Sequence, residues 1–314
     1  MLRPVLVTGA GGFVGPHLAR ALAARGAEVH GIGLGGPPEG PALASWRELD
    51  LAVDDDLAGA LAAARPEAIV HLAGQSSAAQ SFADPEGTFR ANVTGTGRLL
   101  DAVRVAAPHA RVIVVGSSEV YGSIEPGTRA AESTPFAPVS PYALSKAAAD
   151  QLASAYADTH GLDVVRARPF SHAGPGQTPR FVIAAWAQQV AEIEAGLIEP
   201  VLRVGNLDVV RDISDVRDIA EGYCALLERG VRGRAYNLCR GEGVRLARVV
   251  EQIAALARVP VRVEVDPARL RPADLPYLVG DPSLTERECG WRPVRPFADT
   301  LADVLEDRRR FVLP

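Results

Sequence analysis

The 314-residue sequence predicts an α/β fold: a doubly wound parallel sheet with helices on both faces, and a smaller α/β region interleaved with it towards the C-terminus. Three observations predict this fold. Short apolar runs rich in Val and Ile, as strands buried on both faces require, alternate with longer helical patterns. The first apolar run leads directly into a glycine-rich loop. Repeated strand–helix–strand units bring the chain back in the same direction, which makes the sheet parallel.

The predicted elements follow one another regularly. The strands of the first half are 5–8, 28–32, 68–72, 111–115 and 163–167, and the helices between them are 13–25, 57–65, 88–106 and 141–160. After residue 168, Pro, Gly and Gln interrupt the pattern. It resumes with a helix at 181–195, an extended piece at 201–204 and a strand–helix return over 212–238.

The composition excludes several classes of function. The formal net charge is −5 and the Arg residues are scattered among Asp and Glu, so we expect neither a nucleic acid nor a membrane surface as partner. No apolar run approaches bilayer length and the first residues enter a strand directly, so we expect a cytoplasmic protein without a signal peptide. The three cysteines lack Cys-x-x-Cys spacing and the six histidines form no ligand cluster, which predicts reduced, buried thiols and no metal.

A glycine loop, TGAGGFVG at 8–15, joins the first strand to the first helix. Its glycines at 9, 12 and 15 permit a tight turn, close approach of the backbone to a pyrophosphate, and close packing of helix on strand. The free N–H groups at the helix N-terminus favour the phosphates. The loop therefore predicts a Rossmann-type NAD(P)-binding domain made of residues 1–168 and 212–239. Residues 169–211 and 240–314 would form the substrate-binding region.

The second strand ends without the residue that usually selects the cofactor. An acid there accepts a hydrogen bond from the 2′-hydroxyl of NAD, whereas an Arg suits the 2′-phosphate of NADP. The segment HGIGLGG at 30–36 has neither, so the sequence leaves NAD against NADP undecided. Asp50 and Leu51 are predicted to contact the adenine. The alternative for Asp50 is a helix-capping role ahead of the acidic run 54–56.

One lysine occurs in the whole chain, Lys146, four residues after Tyr142. Ser140 as N-cap and Pro141 at the first helical position begin a helix that ends at Gly161, so the Tyr and Lys side chains lie one turn apart on one face. A free tyrosine has a pKa of about 10, and we expect the neighbouring ammonium to lower that pKa. A flexible ammonium also reaches the hydroxyls of a nicotinamide ribose, a task for which a planar guanidinium is less suited.

Two hydroxyls and a carboxylate, those of Ser117, Ser118 and Glu119, follow the carboxyl end of the strand 111–115. Open α/β sheets bind ligands at that edge. By themselves the two serines are typical turn residues. Together with Tyr142 and Lys146 they predict a catalytic group in which a hydroxyl holds the reacting oxygen.

With these motifs the chain resembles the extended short-chain dehydrogenase/reductases, the NAD-dependent epimerase/dehydratase family of nucleotide-sugar enzymes. The resemblance rests on segments 8–15, 71–74, 92–96 and 117–122, on the Tyr142–Lys146 spacing and on Arg211 followed by Asp. It implies that Tyr142 is the acid/base, that Lys146 binds the ribose and tunes Tyr142, and that Ser117 is catalytic. The cofactor-binding set that it implies, together with the glycine loop, is Gly9, Gly12, Phe13, Val14, Gly15, Asp50, Leu51, Leu72, Ala73, Gly74, Asn92, Tyr142, Lys146 and Pro169.

The resemblance also implies where a substrate binds. Arg211 would contact its pyrophosphate, Arg271 and Asp274 would hold its nucleotide, and Ser171 and Arg180 would complete the set. Segments 168–177, 204–213 and 216–218 look like those of the GDP-4-dehydro-6-deoxy-D-mannose reductases, which make GDP-rhamnose. Those enzymes carry Asn where this chain has Ser171.

These likenesses favour NAD(P)H-dependent reduction of the 4-keto group of a nucleotide sugar, GDP-4-dehydro-6-deoxy-D-mannose to GDP-D-rhamnose. The alternative is a 4-epimerase of the UDP-glucose/galactose type or a GDP-mannose 4,6-dehydratase that keeps its NAD(P) bound. Glu119 leaves that alternative open, because the related dehydratases use a Glu at this place. A further alternative is a nucleotide sensor without catalysis. The family commonly pairs helices 88–106 and 141–160, here with outward-facing alanines at 147–149 and 153, which implies a homodimer.

Overall fold

The computed structural model describes residues 4–40, 43–270 and 274–312. Its strands are β1 (Val5–Thr8), β2 (Val29–Gly33), β3 (Ser45–Glu48), β4 (Ala68–His71), β5 (Arg111–Val115), β6 (Val164–Pro169), β7 (Ser171–Ala173), β8 (Val201–Val204), β9 (Val210–Asp215), β10 (Ala235–Leu238), β11 (Gly243–Arg245), β12 (Arg262–Val265) and β13 (Tyr277–Leu278). Its helices are α1 (Gly15–Ala24), α2 (Leu57–Ala64), α3 (Ala78–Ala83), α4 (Pro85–Phe89), α5 (Gly95–Ala106), α6 (Pro141–His160), α7 (Val182–Glu194), α8 (Val216–Arg229), α9 (Leu246–Ala255), α10 (Ser283–Cys289) and α11 (Phe297–Val312).

The largest sheet has the strand order β10-β6-β5-β4-β1-β2-β3, with every neighbouring pair parallel. The chain runs outward from β1 through β2 to β3, then crosses over and runs outward on the other side from β4. The order therefore reverses between β1 and β4. Such a reversal leaves a crevice at the carboxyl ends of the two central strands, where α/β sheets bind their ligands.

Helices cover both faces of this sheet, and each face has its own core. On one face α1 and α8 pack on the sheet, with Leu18, Leu22, Ile219 and Tyr223 among the buried side chains. On the other face α2, α5 and α6 bury a second set that includes Leu61, Leu99, Leu100 and Ala153. Burial on both faces explains why β1, β4 and β5 read as continuous apolar runs.

A second, smaller unit surrounds β9, which pairs with β7, β11 and β13. Strands β8 and β12 form a separate parallel pair. Helices α7, α9 and α11 pack around these strands on a core of their own that includes Trp186, Val190, Val249 and Leu305. This unit stands over the carboxyl edge of the large sheet because β6 leads directly into β7.

The predicted fold class is confirmed, with differences in detail. Strand β3 was not predicted, because Ser45–Glu48 is mostly polar and lies at the exposed edge of the sheet. The predicted helix 88–106 is three pieces, α4, a π-helical segment Arg90–Thr94 and α5. In α6, Ala147, Ala149 and Ala153 do not face outward as expected. They are at most 7% exposed and pack inside the fold.

The domain boundaries also differ from those predicted. All of β9, including residues 212–215, belongs to the smaller unit, so the large domain resumes only at α8. Helix α10, expected in the substrate region, packs against α8 and β10, and Cys289 and Trp291 belong to the core of the large domain. In the described part of the chain no helix is long and apolar enough to cross a membrane.

Candidate active site

The crevice opens into one long cleft of about 1200 Å³. The glycine loop and β2 form one end, the carboxyl ends of β4, β5 and β6 form the floor, and α7 with segment 268–270 forms the other end. The predicted site residues that line it are Gly9, Gly12, Phe13, Val14, Gly15, Asp50, Leu51, Leu72, Ala73, Gly74, Ser117, Ser118, Glu119, Tyr142, Lys146, Pro169, Ser171, Arg180, Arg211 and Asp274. Asn92 lies behind the cleft wall, and Arg271 lies outside the described residues.

The glycine loop has no room for side chains at two of its positions. A Cβ on Gly9, at φ +69°, would lie 2.6 Å from the backbone N of Ala73, and one on Gly15 would lie 2.1 Å from the carbonyl O of Ala10. Glycine at these positions therefore lets the loop pack closely on the segment after β4 and on its own backbone. Pro16 lies in the first turn of α1, where a backbone N–H has no intrahelical acceptor, so it removes no hydrogen bond.

A neutral histidine ties β1 to β4 and α5 beneath this loop. His71 Nδ1 lies 2.7 Å from Thr8 Oγ1, and its Nε2 lies 3.0 Å from Thr96 Oγ1. The Thr96 hydroxyl donates to the carbonyl of Asn92, so His71 Nε2 must be the donor to Thr96 and Nδ1 the acceptor from Thr8. Burial, with a smaller effect of Lys146, lowers the pKa of His71 to about 3, which keeps the ring uncharged.

Asn92, predicted to bind the cofactor, supports the wall of the cleft instead of facing it. Its Nδ2 donates to Ser145 Oγ at 2.9 Å and to the Gln75 carbonyl at 3.1 Å, and its Oδ1 accepts from Gln75 N at 2.8 Å. A Cβ on Gly74 would lie 2.5 Å from that Oδ1 and 3.6 Å from Lys146 Nζ. Asn92 thus fixes the segment after β4 against α6, close to the lysine.

Helix α6 begins and ends as predicted and holds Lys146 in the cleft floor. The Ser140 hydroxyl accepts from the N–H of Ala143 at 3.0 Å, and Gly161 ends the helix at φ +69°. Lys146 Nζ donates to the carbonyl of Val115, the last residue of β5, at 3.0 Å. Burial lowers the pKa of Lys146 to about 8. An ammonium has three N–H donors, so this contact leaves others for a ligand.

The phenol of Tyr142 has a pKa above that of a free tyrosine, which is opposite to the expected direction. Burial raises the pKa most, the negative charge of Glu119 raises it further, and a hydrogen bond with Ser117 lowers it. We expected Lys146 to dominate, but its ammonium is directed to the Val115 carbonyl. Desolvation of a buried phenolate costs more than one hydrogen bond returns.

Ser117 and Ser118 lie where β5 passes into a short 3₁₀ turn, Ser118–Tyr121. The Ser117 hydroxyl accepts from the N–H of Glu119 at 3.2 Å and so caps the turn. Gly122 ends the turn at φ +68°, where a Cβ would lie 2.2 Å from the carbonyl O of Ala137. The turn therefore brings the side chains of Ser117, Ser118 and Glu119 to the same cleft as Tyr142.

A buried ion pair lies directly beneath this turn. Arg168 donates from Nε to Asp150 Oδ2 at 2.9 Å and from Nη2 to Oδ1 at 3.0 Å. Its Nη1 donates to Tyr121 Oη at 2.9 Å, and that phenol donates to Asn237 Oδ1 at 2.7 Å. Asp150 is one helical turn after Lys146, so the network connects α6, the 3₁₀ turn and β6. The Arg168 and Asp150 side chains are 4% and 1% exposed.

The substrate half of the cleft is built on β9. Arg211 Nη1 donates to the carbonyls of Leu275 and Val210 at 2.5 and 3.0 Å. The next residue, Asp212, is buried, and its carboxylate accepts from the backbone N–H groups of residues 240, 241 and 280. Ser171, Arg180 and Asp274 also line this half. Within the described residues no group of His, Cys, Asp and Glu is arranged to hold a metal ion.

A family model described as GDP-mannose 4,6 dehydratase matches residues 6–304. The chain belongs to this family. The GDP-6-deoxy-D-mannose reductase of Pseudomonas aeruginosa PAO1 is 36% identical to it over 98% of this chain and 97% of the relative. The family resemblance seen in the sequence is thereby confirmed, and the chain is an NAD(P)-dependent enzyme of the extended short-chain dehydrogenase/reductase type.

Solved structures of family relatives have the same fold. The structure of RMD from Pseudomonas aeruginosa complexed with NADPH has a TM-score of 0.83 at 33% identity, over 98% of this chain and 99% of that one. The UDP-glucose 4-epimerase of Thermus thermophilus in complex with NAD has a TM-score of 0.88 at 31% identity, over 98% and 99%. Reductases and epimerases thus share this architecture, so the fold alone does not choose between their reactions.

Some residues that line the cleft of this family member were not predicted. Tyr223 on α8 and Trp186 on α7 line the cleft, but both lie on the buried, apolar faces of their helices. In the sequence they therefore look like ordinary core residues. His172 stacks on Phe13 with ring centroids 5.9 Å apart and lines the cleft, joining the glycine loop to β7. Only the loop motif 168–177 pointed to His172.

Proposed function

We propose that this enzyme reduces the 4-keto group of GDP-4-dehydro-6-deoxy-D-mannose and forms GDP-D-rhamnose. The observation that carries the proposal is the buried Tyr142 phenol, which lines the floor of the cleft together with Ser117 and Lys146. A tyrosine carries its proton at neutral pH, so this phenol has a proton to give. A reductase must donate a proton to the oxygen that forms at C4, whereas an epimerase or dehydratase must first remove one from a hydroxyl. The similarity to a GDP-6-deoxy-D-mannose reductase also supports reduction of the keto group.

Different residues of the cleft would bind the cofactor, transfer the proton and bind the diphosphate. The bare glycine loop and Lys146 would hold a nicotinamide dinucleotide, which supplies the hydride when bound. Ser117 would hydrogen-bond the sugar oxygen at C4, and Tyr142 would protonate it as negative charge develops. Arg211 at the far end of the cleft would bind the diphosphate and fix the distance of the sugar from the floor.

The direct experiment gives purified protein GDP-4-dehydro-6-deoxy-D-mannose with NADH or NADPH and follows the absorbance of the reduced cofactor. We expect consumption of the cofactor and a GDP-deoxyhexose product whose C4 configuration is read by NMR. No consumption with either cofactor would contradict the proposal. Tyr142→Phe removes the proton donor and should lower kcat by roughly 10²–10⁴-fold, with cofactor affinity retained.

Glu119 favours one second candidate, a 4,6-dehydratase. Its carboxylate lines the cleft and acts electrostatically on Tyr142, so a second acid/base group stands at the reacting centre. Release of oxidised cofactor from heat-denatured protein, together with turnover of GDP-mannose without added reductant, would establish that reaction. The same assay with UDP-galactose tests the epimerase.

We also propose a homodimer and a cytoplasmic location. Helices α5 and α6 pack side by side, and their outer side chains include the half-exposed Leu144 and the exposed Val105. Three unpaired buried thiols, Cys224, Cys239 and Cys289, suit a reducing compartment.

A further inference from the structure

The loop that follows β2 carries no charge where the adenosine ribose of a dinucleotide is normally recognised. Strand β2 ends at Gly33, which lines the cleft together with Leu34. Gly35 and Gly36 follow, and the whole stretch 34–36 is exposed. An acid or an arginine at this strand end usually decides between a 2′-hydroxyl and a 2′-phosphate. In this chain, a residue of a neighbouring element must therefore select between NAD and NADP.

Strand β3 places a carboxylate at this position. Strands β2 and β3 are parallel and in register, with Gly33 opposite Glu48, so both end at the same edge of the sheet. Glu48 Oε1 accepts from the N–H of Gly35 at 3.1 Å. The indole Nε1 of Trp46 donates to the carbonyl of the same Gly35 at 3.1 Å. Two side chains of β3 therefore hold the loop after β2, and one of them is an acid.

The nearby positive charges do not offset this acid. Arg47 is paired with Asp56, and Arg20 lies against Gly40 at the far end of the loop. Neither guanidinium lines the cleft, and Glu48 does not line it either; the hydrogen bond from Gly35 N–H places the Glu48 carboxylate next to the lining residues Gly33 and Leu34. Asp50, which does line it, adds another carboxylate close by. Among the described residues, the surroundings of the loop are therefore acidic.

We propose that Glu48 sets the cofactor preference and makes the enzyme select NADH over NADPH. The inference rests on the dinucleotide site of the proposed function. The carboxylate is an acceptor for the ribose 2′-hydroxyl of NADH, and it repels the dianionic 2′-phosphate of NADPH. The proposed preference differs from the cofactor in the solved structure of a relative, which contains NADPH.

Direct titration of the protein with NADH and NADPH, by nicotinamide fluorescence without sugar substrate, tests this. Repulsion between an exposed carboxylate and a phosphate in partly aqueous surroundings predicts a Kd for NADH at least about tenfold lower. Glu48→Gln keeps an oxygen acceptor for the Gly35 N–H but removes the charge, and it should reduce the preference several-fold. Glu48→Arg should reverse it. Added salt should narrow the wild-type preference because it screens the repulsion.

Glu39→Gln is the matched control, because it removes an equal charge from an exposed residue further along the loop, whereas Glu48 is the carboxylate that is hydrogen-bonded to Gly35 next to the end of β2. It should leave the ratio of the two Kd values unchanged. Equal or tighter binding of NADPH by the wild type overturns the proposal, and so does an unchanged ratio in folded Glu48→Gln and Glu48→Arg. Binding of neither cofactor overturns the dinucleotide site as well. A preference for NADH without turnover of the GDP-sugar overturns only the proposed reaction.

Discussion

The ammonium of Lys146 is kept in the fold at a free-energy cost. Burial lowers its pKa to about 8 from 10.5, so below pH 8 the folded protein holds a charge that the unfolded chain solvates better. Lys146→Met should therefore raise the free energy of unfolding at pH 7 by roughly 1–3 kcal/mol, and it should abolish turnover. Chemical denaturation measures the first effect and cofactor consumption the second.

The pH dependence of stability tests whether the buried charge of Lys146 causes this difference in the free energy of unfolding. As pH rises from 8 to 10.5, the folded wild type loses the charge first, and the cost of burying it disappears. The stability difference between wild type and Lys146→Met should then shrink. A difference that stays constant, or that favours the wild type at pH 7, would contradict a penalty from the buried charge.

Lys146→Arg tests whether charge alone is enough. The lysine end lies between the Val115 carbonyl and the space above Gly74, and a longer, planar guanidinium does not fit both. We expect at least about a hundredfold loss in kcat/KM, with the fold intact by circular dichroism. Near-normal turnover would mean that any cation at this place is sufficient.

At the scale of elements, the Arg168–Asp150 pair fastens the 3₁₀ turn to α6 and β6. Asp150→Asn removes the counter-ion of Arg168 and of Arg166, whose Nη1 also donates to Asp150 Oδ1 at 2.7 Å, and should lower the free energy of unfolding by roughly 3 kcal/mol or more. The exposed pair Arg245–Asp208 is the matched control, and Asp208→Asn should change stability by less than about 1 kcal/mol. Urea denaturation of both variants measures the contrast, and equal effects would contradict a special role of the buried pair.

How far sequence predicts an element depends on how local its signals are. Helix α6 was predicted to the residue because Ser140, Pro141 and Gly161 are local end signals. The edge strand β3 was missed because one of its faces is open to solvent, and Ser45, Arg47 and Glu48 show no apolar run. Missing β3 also hid Glu48, whose position becomes meaningful only through its register with Gly33.

In the candidate site, too, local sequence patterns were predicted and properties that depend on tertiary contacts were not. The glycine loop, the serines and the Tyr142–Lys146 spacing are local patterns, and the structure brings them into one cleft. The direction of the Tyr142 pKa could not be predicted, because it depends on burial and on Glu119, which are tertiary properties. The place of Asn92 behind the wall depends likewise on Gln75 and on Ser145, which are distant in sequence.

At the scale of the whole molecule, the proposed dimer makes a prediction about α6. Leu144 is 50% exposed on this helix, and an acid there would be buried without a partner in a dimer. Light scattering after size exclusion at micromolar concentration should show a dimer for the wild type and a monomer for Leu144→Glu. Leu197→Glu, at a site 65% exposed beyond α7, should remain dimeric. A monomeric wild type would contradict the proposal.

The single lysine also gives the enzyme a built-in spectroscopic label. Reductive methylation with ¹³C-formaldehyde would mark Lys146 Nζ, and the α-amino group would be the other amine to react. Two methyl resonances would then report on a chain of 314 residues, without substitution of any amino acid. The chemical shift of one of them would follow the charge of the active-site amine through its titration near pH 8, and would register the arrival of each ligand in the cleft.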